Sequence, residues 1–246
     1  MPDGIGILAA VAGCLADAGL NVIESQDFAD TDTATFFVWV DFEASDSSDI
    51  AQFKARFAEL AAARDIDWTL RLESERPKAL IMVSKGDHCL NDLLYRHRRG
   101  RLGAEIVAVV SNHGDAEWLC ERHTIPFHHV PVTPATKPEA EARLMALVEE
   151  TACDFVVLAR YMQVLSDGLC RQLSGRCINI HHSFLPIFKG AKPYHQAHRR
   201  GVKLIGASAH FVTADLDEGP IIAQDVAPVD HRMSPDRMAE MGRDIE

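Results

Sequence analysis

The chain is predicted to be an α/β protein with two domains: a small α+β module, followed by a larger domain built on a doubly wound, mostly parallel sheet. Three features of the sequence lead to this prediction. Residues 1–72 contain helical and strand-like runs in the order helix, strand, strand, helix, strand. Residues 73–77, Glu-Ser-Glu-Arg-Pro, interrupt that pattern with charge and a proline. Beyond them, apolar strand-like runs alternate with helical runs, which is typical of parallel sheets with helical crossovers.

The first module shows the periodicity of each element in turn. Apolar residues recur at helical spacing in its first run, and Gly19 stands where a helix C-cap is expected. A polar turn separates the two strand-like runs that follow. The elements are predicted over residues 5–18, 21–28, 35–42, 48–63 and 66–72. With the linker at residues 73–77, the predicted domains are residues 1–74 and 75–246.

The second module alternates between buried-type strands and helices. Its strands are predicted over residues 79–83, 106–110, 155–158 and 177–180, and its helices over residues 88–98, 116–123 and 138–150. Two later β-rich runs, 203–213 and 220–229, are joined by a short Asp-Gly turn and predict a hairpin at the end of the sheet. Because ligands of such sheets bind beyond the carboxyl ends of the strands, polar residues that follow a strand are candidate site residues.

The composition indicates a globular protein that acts on a small molecule. Hydrophobic residues make up 47% of the 246-residue chain, which is enough for a sizeable core. Acidic residues outnumber basic ones, and the formal net charge of −11 disfavours a nucleic acid or an anionic membrane as the partner. The six cysteines are scattered and the N-terminus has no secretory signal pattern, so a cytoplasmic location is expected.

The most informative segment lies at the end of the predicted strand 177–180. Asn179 and His181 stand there, and Asp217 stands on the loop between the two later β-rich runs. An amide, an imidazole and a carboxylate are the groups needed to process a carbonyl through a tetrahedral intermediate. Taken one at a time, each has a plainer role: Asn179 as a turn cap, His181 as a core histidine and Asp217 as the start of a tight turn.

The surrounding residues give these three side chains a specific pattern. The sequence reads Asn-Ile-His-His-Ser-Phe-Leu-Pro over residues 179–186, Phe-Lys-Gly-Ala over 188–191, His-Phe-Val over 210–212 and Asp-Glu-Gly-Pro over 217–220. This combination resembles the signature of the formyltetrahydrofolate-dependent formyltransferase superfamily. The resemblance implies that Asn179, His181 and Asp217 are catalytic, and that Gly190 and His210 help to bind the substrate.

Two departures from the transferases favour a hydrolytic branch of this superfamily. Where glycinamide ribonucleotide formyltransferases have a Gly-Asn-Gly-Ser loop that cradles a phosphate, residues 84–90 read Ser-Lys-Gly-Asp-His-Cys-Leu, and Asp87 would repel a phosphate. His182 stands where the transferases tend to have proline. Both departures resemble the formyltetrahydrofolate deformylases, which implies hydrolysis of 10-formyltetrahydrofolate to formate and tetrahydrofolate, supplying formate for purine synthesis and balancing the one-carbon pool. The alternative is a formyltransferase with an amine acceptor such as glycinamide ribonucleotide.

The resemblance extends along most of the chain and implies further binding residues. Residues 158–165 read Leu-Ala-Arg-Tyr-Met-Gln-Val-Leu, and the last four are predicted to form a largely apolar slot for the pterin. These four are Met162, Gln163, Val164 and Leu165, whose plainer role is packing of the sheet. In the altered loop, Lys85 and His88 are predicted to close the acceptor site to amines or to order the water.

The first module resembles an ACT domain, a small ferredoxin-like α+β module that binds amino acids in many proteins. The match rests on Pro2-Asp3, Gly6-Ile7 and Ala9-Ala10-Val11. An ACT domain begins with a strand that is missing here, so we expect strands with unpaired backbone groups unless a segment upstream of Met1 or another chain fills the gap. Residues 241–246 resemble the first turn of a final helix, so the sequence looks clipped at both ends. The resemblance implies an amino-acid effector and a homo-oligomer, a dimer or a tetramer.

We expect no metal and no cofactor, with 10-formyltetrahydrofolate as the substrate. Neighbouring histidines such as His181 and His182 point to opposite faces of a strand and cannot hold one ion. In the expected reaction, Asp217 positions and deprotonates a water while Asn179 and His181 stabilise the formyl oxygen. Two other functions stay open: formylation of methionyl-tRNA, which the acidic composition disfavours, and a non-catalytic amino-acid sensor, which the intact trio disfavours.

Overall fold

The chain folds into two compact units, Met1–Leu72 and Glu73–Glu246. They are seen in a computed structural model that describes residues 1–45, 49–187 and 192–246. Across these residues, the helices are all too short or too polar to cross a membrane.

The first unit packs two helices against an antiparallel pair of strands. Its elements are α1 (Ile7–Asp17), β1 (Leu20–Asp30), β2 (Thr35–Ala44) and α2 (Ile50–Arg64). The amide of Gln52 donates a hydrogen bond to the Asp49 side chain, which caps the start of α2. Buried residues recur every three or four positions along both helices, so each helix has an apolar stripe that faces the core. This core contains Ile7, Val11, Leu15, Phe53, Phe57 and Ala61.

The prediction of a strand over residues 66–72 is wrong. That segment forms no ladder with any residue that the structure describes. Its apolar residues Ile66, Trp68 and Leu70 pack in the same core as residues of β2, and Ile66 and Thr35 both line an open depression of about 900 Å³. Extended residues become a strand only when their N–H and C=O groups find a neighbouring strand. At the edge of β2, the residue that bridges to Thr35 is Pro2.

The second unit is built on a sheet that has seven strands within the described ranges, in the order β5-β4-β3-β6-β7-β8-β9. The first five of these run parallel, whereas β8 and β9 are antiparallel to their neighbours. The strands are β3 (Lys78–Val83), β4 (Glu105–Ser111), β5 (Phe127–His129), β6 (Phe155–Leu158), β7 (Cys177–His181), β8 (Leu204–Phe211) and β9 (Ile221–Pro228). The helices are α3 (His88–Arg98), α4 (Glu117–His123), α5 (Lys137–Thr151), α6 (Asp167–Gln172), α7 (Pro193–Arg200) and α8 (Pro235–Arg243).

Strand β3 shows how the sheet is covered on both faces. Leu80 and Met82 pack on one side with residues of α5 and α6, while Ala79 and Ile81 pack on the other with residues of α3 and α4. Successive side chains of a strand point to opposite faces, so a strand covered twice must be apolar throughout. The predicted doubly wound α/β architecture is confirmed.

The end of the chain differs from the prediction in two details. The β8–β9 hairpin is present, but residues 212–220 connect its strands, which is longer than the short turn expected. The final helix begins at Pro235 and ends at Arg243, so the prediction that residues 241–246 open it is wrong. The signal for its true start is Ser234, whose side chain accepts a hydrogen bond from the Arg237 amide, followed by proline at the first helical position.

Candidate active site

The carboxyl end of β7 and the loop after β8 bring three polar side chains to one place. Asn179 and His181 are two residues apart on β7, so their side chains leave the same face of the strand. Asp217 comes from the loop after β8, and its Oδ1 lies 3.4 Å from Nδ1 of His181. His181 and Asp217 are both buried, and all three residues line the same cavity. The three side chains that the sequence singled out are therefore neighbours.

His210 orients the amide of Asn179 from the neighbouring strand. Its Nδ1 lies 2.9 Å from the carbonyl oxygen of Phe211, and a carbonyl can only accept, so Nδ1 carries the proton. With its proton on Nδ1 the ring can accept at Nε2, where Nδ2 of Asn179 lies 3.1 Å away and Oδ1 of Asp217 lies 3.9 Å away. An amide nitrogen has two protons. The second N–H of Asn179 is therefore held in a fixed direction by a side chain that is itself buried.

Gly219 lets the loop carrying Asp217 turn back onto β8. The amide of Phe211 donates to the carbonyl of Pro220 at 2.9 Å, which closes the loop. A Cβ on Gly219 would lie 1.7 Å from the carbonyl oxygen of Phe211, so no larger residue fits there. Asp217 itself has φ of 57°, in the left-handed region that Asp tolerates better than most residues. Backbone shape, rather than a flexible side chain, thus places the carboxylate.

The site residues line a cavity of about 430 Å³, large enough for a cofactor-sized molecule. The segment after β6 forms one part of its wall, where Met162 and Val164 are largely exposed and Leu165 is buried. All four residues of the predicted slot, Met162, Gln163, Val164 and Leu165, lie on this wall. Another part of the wall is polar and basic, formed by Arg160, His182 and Lys192.

Ser84 ties the predicted slot to the sheet. Its hydroxyl donates to Oδ1 of Asn112 at 2.7 Å and accepts from the amide of Met162 at 2.9 Å. Its own amide donates to the carbonyl of Arg160 at 3.1 Å. One buried serine at the end of β3 therefore fixes the start of the slot against the end of β4.

Ser208 holds the loop that follows the site histidines. Its hydroxyl donates to the carbonyl of Ser183 at 2.9 Å and accepts from the amide of Leu185 at 3.0 Å. Nε2 of Gln224, on β9, lies within reach of both the Ser208 hydroxyl and the Leu185 carbonyl. The antiparallel hairpin thus supports the chain immediately after His181 and His182.

The remaining predicted site residues have different surroundings. Lys85 is exposed and is not part of the cavity wall. His88 is the first residue of α3, and its Nε2 lies 2.9 Å from a carboxylate oxygen of Glu246. Gly190 lies outside the described residues. The roles assigned to these residues stay predictions.

No local sequence pattern indicates a role for the basic part of the wall or for Glu246. Arg160 and Lys192 lie outside the helices and strands, and only the folded chain brings them to the cavity. In the sequence, His182 stands out only as a departure from the transferases. Burial, together with the nearby charge of Arg160 and His181, lowers the pKa of His182 to about 4. At neutral pH this imidazole is therefore uncharged. The sequence alone does not predict this charge state, because it depends on the surroundings of His182 in the fold.

Within the described ranges, one group of three potential metal ligands lies close together: His88, Cys89 and Glu246. A cysteine binds metal as its thiolate. Burial and the charge of Glu246 raise the pKa of the Cys89 thiol to about 12. Arg160 Nε also lies 3.4 Å from the carboxylate and competes with any ion for it. The chemistry of this group favours an ion-pair cluster over a metal site.

The second unit resembles known proteins of one class. The family model described as Formyl transferase matches residues 77–246. A solved structure of a phosphoribosylglycinamide formyltransferase from Coxiella burnetii has the same fold, with a TM-score of 0.64 and 28% identity over 69% of this chain and 81% of that one. The second unit is thus a formyl transferase domain.

Two further relatives resemble the chain over its whole length. A formyltetrahydrofolate deformylase from Corynebacterium sp. (strain P-1) is 51% identical over all of this chain and 86% of its own length. The crystal structure of a formyltetrahydrofolate deformylase from Burkholderia mallei matches with a TM-score of 0.95 and 49% identity, over all of this chain and 87% of that one. The chain therefore belongs to the formyl transferase family and, within it, to the formyltetrahydrofolate deformylases.

Proposed function

We propose that the protein hydrolyses 10-formyltetrahydrofolate to formate and tetrahydrofolate. The observation that carries the proposal is the meeting of Asn179, His181 and Asp217 on the wall of one cavity, with His181 and Asp217 3.4 Å apart. The deformylases that resemble the chain along its whole length support the hydrolytic reaction. The cavity joins an apolar slot to this polar trio, which suits a substrate with a flat ring system and a formyl group.

The folate's pterin is assigned to the slot formed by residues 162–165. Apolar side chains there cover the ring faces, while Gln163 and backbone groups reach its polar edge. With the pterin in place, the formyl group on N10 extends toward the trio. The basic part of the wall, Arg160 and Lys192 with the uncharged His182, is assigned to the side from which the nucleophile arrives, because the slot for the pterin forms a different part of the same wall.

Hydrolysis proceeds through a tetrahedral intermediate. The Asp217 carboxylate accepts a proton from water as the water oxygen bonds to the formyl carbon. The negative charge that develops on the formyl oxygen is stabilised by the N–H of Asn179 that His210 leaves available, and by the His181 imidazole. Each such preorganised donor is worth roughly 3 kcal/mol of the barrier. The carbon–N10 bond then breaks, N10 receives a proton, and formate leaves; no step draws on a metal or a cofactor.

A formate-release assay tests this proposal. Purified protein is incubated with 10-formyltetrahydrofolate alone, and formate and tetrahydrofolate are measured over time. Release of both at a catalytic rate without any amine supports hydrolysis. If formyl loss requires added glycinamide ribonucleotide, the protein is instead a transferase. Asp217→Asn serves as the control for formyl loss that the site does not catalyse.

The first unit is proposed to be an ACT domain that responds to an amino acid. Its helices pack on one side of the β1–β2 pair, as a ferredoxin-like module requires, and such modules commonly assemble as symmetric dimers or tetramers. The formate assay repeated with single amino acids tests the effector, and light scattering tests the assembly. Located in the cytoplasm, the enzyme would supply formate for purine synthesis.

A further inference from the structure

The carboxylate of Glu246 is the centre of a buried polar cluster beside the cavity. Its Oε2 lies 2.9 Å from Nε2 of His88 and 3.4 Å from Nε of Arg160. The hydroxyl of Tyr194 donates to Oε1 at 3.1 Å. The Glu246 side chain is 1% exposed, whereas the side chains of His88 and Arg160 are 26% and 21% exposed, so a buried carboxylate meets two partly hydrated basic groups. None of these four residues takes part in the proposed catalytic steps.

The three partners of Glu246 come from three separate segments. His88 begins α3, Arg160 follows β6, and Tyr194 is in the first turn of α7. Helix α8 packs on α7 through Gly242, where a Cβ would lie 1.8 Å from the Tyr194 hydroxyl oxygen. The amide of Glu246 donates to the carbonyl of Gly242 at 3.1 Å. This close helix packing fixes the backbone of Glu246 and aims its side chain at Arg160.

The cluster decides the charge of the cavity wall. Burial acts to raise the pKa of Glu246, but the hydrogen bond with His88 and the charge of Arg160 outweigh it and hold that pKa below its usual value. The carboxylate is therefore anionic and neutralises the guanidinium. Nη1 of Arg160 is buried and has no hydrogen-bond partner among the described residues. Without the carboxylate, the guanidinium of Arg160 would lose this paired anion, and this part of the wall would become more positive.

We propose that Glu246 determines the specificity of the reaction. Its carboxylate neutralises Arg160 and holds His88. As a result, the side of the cavity from which the nucleophile arrives accepts water and rejects a phosphorylated amine. A phosphate brought to Arg160 on this wall would meet a guanidinium that Glu246 already neutralises, and the two anions would repel each other through this poorly hydrated site. The inference rests on the proposed hydrolytic function and deepens it. It names a residue whose charge would distinguish a hydrolase from a transferase that uses a phosphorylated acceptor.

Inorganic phosphate is the probe that tests this inference. Formate release by the full chain and by Glu246→Gln is measured against phosphate at constant ionic strength. We expect the inhibition constant for phosphate to be at least about tenfold lower in the variant, since Arg160 then has no buried counter-ion. The rise in melting temperature with phosphate is measured on the same proteins, and it requires no turnover. Glu246→Ser is measured in parallel, in case the glutamine variant does not fold.

Two controls separate charge from loss of packing. Glu240 lies on α8, exposed, and pairs with Arg237 on the same helix, so Glu240→Gln should respond to phosphate as the wild type does. The double variant Glu246→Gln/Arg160→Gln should lose the phosphate response that the single variant gains. Equal phosphate responses in the folded Glu246 variants and the wild type overturn the inference. Wild-type protein that releases no formate overturns the proposed function instead.

Discussion

Gly219 approaches Phe211 so closely that the loop carrying Asp217 has no room for a Cβ at that point. A Cβ added to Gly219 would stand 1.7 Å from the Phe211 carbonyl oxygen, far inside van der Waals contact. The same Phe211 carbonyl accepts a hydrogen bond from Nδ1 of His210. One backbone carbonyl is thus shared by the two groups that position the carboxylate and the amide of the site.

Gly219→Ala is expected to lower kcat by about 100-fold, because the loop must move and displacement of a reacting group by about 1 Å costs that much. Gly114→Ala is the matched control, since a Cβ there meets nothing within 4 Å. Both variants are assayed for formate release and for melting temperature. Full activity in a folded Gly219→Ala protein would show that Asp217 is not held by this approach.

Asp217→Asn is expected to reduce kcat by about 1,000-fold, because the amide cannot accept the proton of the attacking water. Folate affinity, measured by fluorescence titration with a non-hydrolysable analogue, should stay within about twofold, since the slot lies elsewhere on the cavity wall. Asp215→Asn on the same loop, where the side chain is exposed, should behave as the wild type. Wild-type turnover by the Asp217 variant would refute the assignment of the base.

Asn179 and His210 are expected to act as a unit. Asn179→Ala should lower kcat by about 100-fold through loss of one oxyanion donor. His210→Ala should lower it less, because the amide survives but is no longer oriented. In the double variant the two losses should not add, which a double-mutant cycle on kcat measures. Strict additivity would mean that His210 does not act through Asn179.

Ser84→Ala is expected to raise KM by about tenfold with a smaller change in kcat, because it leaves the Met162 amide and the Asn112 side chain without their shared partner. Ser174→Ala, at an exposed position, provides the comparison. Steady-state kinetics gives both constants. A loss confined to kcat would argue against a slot anchored by this serine.

His182 should make the protein less stable in mild acid. Its pKa is lowered to about 4 in the folded state, from an ordinary value of 6.5, so below pH 6.5 the unfolded chain binds a proton that the folded chain refuses. The resulting penalty is about 2 kcal/mol at pH 5. The difference between His182→Phe and wild type in the free energy of urea unfolding should therefore shift by that amount between pH 7.5 and pH 5. An unchanged difference would place His182 in contact with solvent.

Patterns of near neighbours were enough to predict most of the second unit. The run Ala79–Val83 is apolar on both faces, which indicates a central parallel strand. The pattern around Asn179, His181 and Asp217 was enough to predict that these residues lie on one cavity, while their catalytic roles stay predictions. Short elements were harder: β5, Phe127–His129, is three residues long and has no period to detect. Ser234 and the proline after it mark the start of α8, a local signal that the prediction for residues 241–246 overlooked.

Contacts that depend on a distant partner could not be predicted. Residues 66–72 have the composition of a strand and fail to be one because they pair with no strand that the structure describes. The ties made by Ser84 join residues 28 and 78 positions apart in sequence. The contact of Glu246 with His88 spans 158 positions. No local periodicity carries such information, since it arises only when the sheet is assembled.

Asn179 and His210 face each other directly across β7 and β8, and this pairing has a consequence for how the enzyme can fail. If the antiparallel hairpin slipped by a single residue, His210 would rotate to the opposite side of the sheet and release the amide, although nearly all backbone hydrogen bonds could form again. Gly206, where a Cβ would come within 2.6 Å of the Asp225 carbonyl, lies in the part of β8 that must pass closest to β9. Misalignment of this ribbon would thus yield a compact but inert protein, and turnover measures strand alignment more sensitively than melting does.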